Sequence, residues 1–127
     1  MQMSTKTLGN WGEDSAVKFL KKKRYRILER NWKADHKEID IIAQRGRAII
    51  FVEVKTLSMS SPKNPNRFLP EESIGPQKRK KLLLACKYYL FSKKIPLDTS
   101  WQIDVISVEA DDETKKVKIH HFENELY

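Results

Sequence analysis

The chain has 127 residues, 39% hydrophobic and 33% charged, and carries a net charge of +8 from 25 lysines and arginines against 17 aspartates and glutamates. That length suits one domain spanning 1–127, with a core that needs neither disulfides nor a structural metal, and the composition excludes a disordered chain. No apolar run reaches the roughly 20 residues of a membrane span, so no membrane association is expected.

The start, MQMSTKTLGNWGED, contains no apolar signal core. Cys86 is the only cysteine, cannot close an internal disulfide and sits in an apolar run. The expected setting is therefore cytoplasmic, with Cys86 an inert buried thiol. The basic excess draws polyanions, nucleic acid first among them; an anionic surface or plain solubility are the alternatives that charge alone leaves open.

The first predicted element is a helix from Asn10 to Arg24. Asn10 serves as its cap, Ala16, Val17, Phe19 and Leu20 form an apolar face, and Lys21-Lys22-Lys23-Arg24 complement its C-terminal dipole. Three strands follow, at Tyr25–Trp32, Glu38–Gln44 and Ala48–Lys55. The third, A-I-I-F-V-E-V-K, is rich in β-branched residues, as a central strand should be. Arg45-Gly46-Arg47 marks the turn between the last two. A stretch from about Thr56 to Gly75, rich in serine and proline, reads as a long functional or mobile loop. Pro76 opens a second helix to about Lys93, with Leu82, Leu83, Cys86, Tyr89 and Leu90 at helical spacing. Strands at Trp101–Val108 and Val117–Phe122 close the chain, the acidic turn around Asp111 lying between them. The order αβββαββ predicts an α/β fold, a mixed sheet flanked by helices.

Residues i and i+2 of a strand share a face, which joins Glu53 to Lys55 and Glu38 to Asp40. Whether Asp40 meets Glu53 depends on hairpin register. Paired positions summing to an odd number, 91 or 93, put both on one face; a sum of 92 separates them. Two carboxylates and a lysine together make chemical sense. Carboxylates hold Mg²⁺ or Mn²⁺, the ion acidifies water and polarises a phosphodiester, and an adjacent lysine orients the nucleophile or offsets developing charge. The tripeptide E-V-K alone is more often a solvated strand face. Its place among Ile49, Ile50, Phe51, Val52 and Val54 is what gives it weight, because unpaired buried charge is costly.

The segments G-N-W-G-E, L-E-R-N-W, K-E-I-D-I-I-A, I-F-V-E-V-K-T, I-G-P-Q-K-R-K-K-L and I-D-V-I, spread over about Leu8 to Phe122, together resemble the small bacterial YraN (UPF0102) family. That family is similar to archaeal Holliday-junction resolvases within the PD-(D/E)XK nucleases. The resemblance implies a restriction-endonuclease-like αβββαβ core and a metal-dependent DNA endonuclease, with branched or structured DNA as the substrate class. Asp40 and Glu53 would bind Mg²⁺ or Mn²⁺, Lys55 would be the catalytic lysine, and Glu13 a helical glutamate completing the catalytic and metal-binding set. Glu38 and Asn31 would support these ligands, and Lys78 would contact phosphate. Lys37, Leu57 and Gln102 depart from the glycine and two arginines usual in the family, which puts the substrate contacts rather than the metal ligands in question.

Other readings stand beside these. Asn10-x-x-Glu13 also fits a capping box, which would make Glu13 structural. Lys78, Arg79, Lys22 and Lys23 are nucleic-acid-binding candidates whose plainer role is a solvated basic surface. The three histidines have no metal-ligand spacing, the three tryptophans read as packing, and Asp104 is structural or supports the site. A DNA- or RNA-binding module that keeps the nuclease fold without catalysis is the functional alternative. Resolving a symmetric junction would require a homodimer, and no exposed apolar stripe marks one.

Overall fold

The structure is a computed structural model that describes residues 5–58, 75–110, 114 and 116–124. Its elements are α1 (Thr5–Lys22), β1 (Arg26–Ala34), β2 (Lys37–Arg45), β3 (Ala48–Ser58), α2 (Pro76–Ser92), β4 (Trp101–Ala110) and β5 (Val117–Phe122). The five strands form one sheet in the order β1-β2-β3-β4-β5. Only β3 and β4 are parallel, which requires the crossover that carries α2; the other three pairs are antiparallel. This is the mixed α/β sheet with αβββαβ core order that the sequence predicts.

Alternation along β3 divides the interior. Ile49 and Phe51 pack with Leu82, Ala85, Cys86 and Tyr89 of α2. Ile50 and Val52 pack with Ala16, Val17 and Leu20 of α1. The result is three layers, a helix on each face of the sheet. On the α2 face, edge-on aromatic contacts run from Trp32 to Tyr89, Tyr89 to Phe51 and Phe51 to Trp101. Cys86 is fully buried and reduced, and burial pushes its thiol up, away from the reactive thiolate.

Several boundaries differ from the sequence-based ones, each for a physical reason. Helix α1 begins at Thr5, so Asn10 lies inside it and cannot be its cap. Strand β3 continues to Ser58 because β4 pairs with it through Leu57↔Glu109 and Ser58↔Ala110. Thr56 to Ser58 therefore belong to the sheet; the rest of the expected loop, 59–74, lies outside the described residues, as does the acidic turn at 111–113. Asp104 is buried on the sheet and accepts hydrogen bonds from His121 Nε2 at 2.7 Å, Gln102 Nε2 at 2.8 Å and the Asn124 backbone N–H at 2.8 Å. Its role is structural, fixing the end of β5.

One close approach ties α1 to the far half of β3. A Cβ added to buried Gly12 would run into Thr56 Oγ1 and lie 2.8 Å from Thr56 Cγ2. The stub is β-branched and held in a strand, so it cannot swing aside. Gly12→Ala is expected to lower stability by about 1–3 kcal/mol, despite alanine's higher helix propensity. Thermal unfolding would read this as a drop of several degrees; an unchanged or higher melting temperature would mean that α1 is not seated on Thr56.

Candidate active site at the fork between β2 and β3

The β2–β3 hairpin sets the geometry. Its pairs are Ile41↔Val52, Ile42↔Phe51, Ala43↔Ile50, Gln44↔Ile49 and Arg45↔Ala48, each summing to 93, the odd register that places Asp40 opposite Glu53. The turn is Gly46-Arg47, and Gly46 takes φ +60, the left-handed conformation wanted at the first position of a tight hairpin turn.

Backbone pairing between the two strands stops at Ile41↔Val52, although β2 remains paired with β1 as far as Lys37. The two strands part there. Side-chain alternation slips at the same place: Ile41 and Ala43 join the core under α1, whereas Ile39 joins the core under α2 with Ile42. Opposite this slip in the β1 register, Asn31 takes φ +49. The Asp40 carboxylate fills the gap, its Oδ2 accepting the Val54 backbone N–H at 2.8 Å. Asp40 thus takes the place of a ladder carbonyl, which fixes the carboxylate and satisfies an amide that the departing strand would otherwise orphan.

A cleft of about 300 Å³ opens at this fork, lined by Gly9, Glu13, Asp40, Glu53, Val54, Lys55, Thr56 and Lys78. Because it lies where the sheet splits, α1 contributes Glu13 from one face while Glu53, Lys55 and Lys78 come from the other. The site thus draws on four elements, and Glu13, Asp40, Glu53 and Lys55 all line one space. With Asn10 inside α1, the capping role for Glu13 falls away. Glu13 instead bonds Asn31, and burial followed by repulsion from Asp40 raises its pKa above the ordinary carboxylate value.

Glu53 is 8% exposed. Burial first, then the charge of Asp40 and a hydrogen bond to it, push its pKa to about 8. Glu53 thereby keeps its proton into the neutral range. The lysines form a second coupled pair. Burial, then a hydrogen bond with Lys78, lowers the pKa of Lys55. Burial pulls Lys78 down, but the bond to Lys55 and the charges of Glu53, Asp40 and Glu38 outweigh it and raise its pKa. The Lys55 proton is thus easier to lose than that of Lys78, whose Nζ stands 4.0 Å from Glu53 Oε2.

Two carboxyls forced into contact in a buried cleft form an arrangement that a divalent cation would relieve, and their oxygens suit Mg²⁺ or Mn²⁺. Among the described residues no three Asp, Glu, His or Cys side chains close on a single point. The structure therefore presents a carboxylate pair with Glu13 on its wall. A pair suffices for magnesium, which commonly takes one or two protein carboxylates and keeps several waters.

The remaining candidates are spread out. Glu38 lines an adjoining cleft with Glu53 and Lys78. Arg79 is exposed and lines neither cleft, and Lys22 and Lys23 lie at the far end of α1 from Glu13, Lys23 over the Phe19 ring at 4.7 Å. Thr56 and Gly9 entered the sequence reading only as parts of family motifs, Lys37 only as a departure from the family's glycine, His36 as a histidine without metal-ligand spacing and Lys81 as one of a basic run; none was named as a site residue by itself. For Thr56 the signal was present, since continued alternation through E-V-K-T puts it on the α1 face.

The profile of the uncharacterised protein family UPF0102 matches residues 12–108. A UPF0102 protein of Flavobacterium psychrophilum is 41% identical over 120 residues, covering 94% of this chain and 93% of its own length. UPF0102 proteins of Roseiflexus castenholzii, 34% identical with 90% and 88% covered, and of Chlorobium phaeobacteroides, 39% identical with 92% and 91% covered, are similar over nearly as much. Among solved structures, Pyrococcus furiosus SfsA in complex with Ca²⁺ aligns at 13% identity with a TM-score of 0.43, over 87% of this chain and 62% of that one. The chain belongs to the UPF0102 family. No helix among the described residues is long and apolar enough to cross a membrane.

The proton held by Glu53 has a thermodynamic consequence. Its folded pKa, about 8, lies above the unfolded value near 4.5, so the native state binds more protons between these limits. The contribution of Glu53 to stability is fully present below pH 4.5 and is lost as pH rises through 8. Glu53→Gln is expected to raise the melting temperature at pH 8–9 and leave it nearly unchanged near pH 4.5. An equal effect at both pH values would show that Glu53 is not desolvated.

Proposed function

We propose that this UPF0102 protein is a Mg²⁺- or Mn²⁺-dependent DNA endonuclease, hydrolysing phosphodiester bonds with branched or otherwise structured DNA as its substrate class. The observation that carries the reading is the single cleft in which Asp40 and Glu53 share a hydrogen bond with Lys55 and Lys78 beside them. A solvated strand face, the plain alternative for E-V-K, would leave Glu53 exposed and its pKa ordinary. The buried pair instead carries a standing electrostatic cost that suits a binding site better than a scaffold.

Asp40 and Glu53 would hold the ion, which would supply an acidified water and a polarised phosphoryl oxygen. Holding it would require Glu53 to give up its proton. Val54 N–H keeps Asp40 oriented while this happens, because that bond is made through the backbone of the neighbouring strand. Lys55, in the same cleft, would orient the attacking water or offset the charge that develops there. Lys78, biased toward the ammonium, is suited to the negative charge that grows on the phosphate. Glu13, on the opposite wall of the cleft and hydrogen-bonded to Asn31, would complete the site by holding one of the ion's waters. The chain's net charge of +8 favours approach of the polyanion.

Linear, single-stranded and four-way-junction DNA incubated with Mn²⁺ or Mg²⁺ would test the reading. Cleavage should need the metal and fall by about 100-fold or more in Asp40→Asn and Lys55→Ala. Binding without cleavage on every substrate, unaffected by Asp40→Asn, would leave a non-catalytic nucleic-acid-binding module instead. A second measurement is independent of turnover: millimolar Mg²⁺ should raise the melting temperature of the wild type at pH 8, and not that of Asp40→Asn.

A further inference from the structure

Beside the fork lies a second cleft of about 180 Å³, lined by His36, Lys37, Glu38, Glu53, Lys78, Lys81 and Leu82. It shares Glu53 and Lys78 with the first, so the two are continuous around these side chains. Its outer wall is the β1–β2 turn, closed by the pair Ala34↔Lys37. Both turn residues, Asp35 at φ +49 and His36 at φ +65, are in the left-handed region. That is the backbone of a tight two-residue hairpin turn, which usually takes Asn-Gly. Aspartate and histidine tolerate it better than most residues, yet each costs on the order of 1 kcal/mol. A strained and therefore well-defined turn holds the His36 ring and Lys37 against the first turns of α2, where Lys78 and Lys81 stand one and a half turns from the helix start or nearer.

Three lysines and an imidazole thus surround a space suited to a phosphate with its sugar rather than to a base pair. Lys37 lies 3.7 Å from Asp35, which is 80% exposed, so the pairing is weak and leaves Lys37 available. Glu38 opposes an anion there, but Lys78 faces it. Resting on the nuclease reading, we propose that this second cleft binds the phosphate next to the one cleaved, with His36, Lys37 and Lys81 as its contacts and Lys78 shared between the two phosphates. The substrate class is then a polynucleotide strand with at least two consecutive phosphates, and a lone phosphodiester would lack half of its contacts.

Binding of a fluorescein-labelled single-stranded 12-mer, followed by anisotropy in EDTA across a salt series, tests this without turnover. Lys37→Ala and Lys81→Ala should each weaken binding about 5-fold and lower the salt slope by about 0.7. His36→Asn, which keeps the left-handed turn, should weaken it about 2- to 5-fold. Lys118→Ala, the same loss of charge on exposed β5, should change it less than 2-fold. Lys37 and Lys81 variants that bind like the Lys118 control, or a wild type that does not bind, would overturn the subsite. The nuclease reading falls on a different result, the absence of metal-dependent cleavage by the wild type.

Discussion

A strand that loses its neighbour partway along exposes amides that need partners, and the fold is organised around that requirement. From Glu53 onward β3 is paired with β4 but no longer with β2. The Asp40 side chain answers one exposed amide, Val54 N–H. The fork that makes this necessary also makes the site, because it opens the sheet so that groups from both faces can meet. A continuous β2–β3 ladder would put Glu13 and Glu53 on opposite sides of a closed sheet. Gly12 belongs to the same arrangement, since a bulkier residue would hold α1 away from Thr56 and pull Glu13 out of the cleft.

The electrostatics follow from this crowding. Asp40 cannot withdraw without freeing Val54, and Glu53 is fixed in a central strand. Two carboxyls are therefore kept in contact, and Glu53 holds its proton into the neutral range. The lysines also oppose each other: burial and their mutual hydrogen bond lower the pKa of Lys55, while that bond and the nearby carboxylates raise that of Lys78. The cleft thus brings carboxyl and amino groups of shifted acidity into one small volume.

Much of this was legible in the sequence because it is local. The strand A-I-I-F-V-E-V-K, the helix after Pro76 and the requirement for an odd register are all carried by alternation and turn chemistry. The turn residues left 91 and 93 both open; only the assembled sheet selected 93. Features that rest on distant pairing were hidden. Strand β3 runs to Ser58 only because β4 lies beside it, and nothing in T-L-S announces that. Asn10-x-x-Glu13 imitates a capping box inside a helix that had already begun at Thr5. The second cleft joins a turn to a helix some forty residues away, and His36 and Lys37 signal nothing until Lys81 stands opposite them. The family resemblance named Glu13 and Lys78, and spacing alone could not have connected them to Asp40.

Gly46-Arg47 is an exposed turn at the far end of the hairpin from the cleft, the kind of surface position where an extra residue is ordinarily harmless. Here chain length is itself information. Each residue added to or removed from the turn resets which β2 position meets Glu53, so an insertion must be looped out as a bulge or it turns Asp40 away from the site. The tip of the hairpin, which lines neither cleft, is thereby as constrained in length as the cleft is in chemistry.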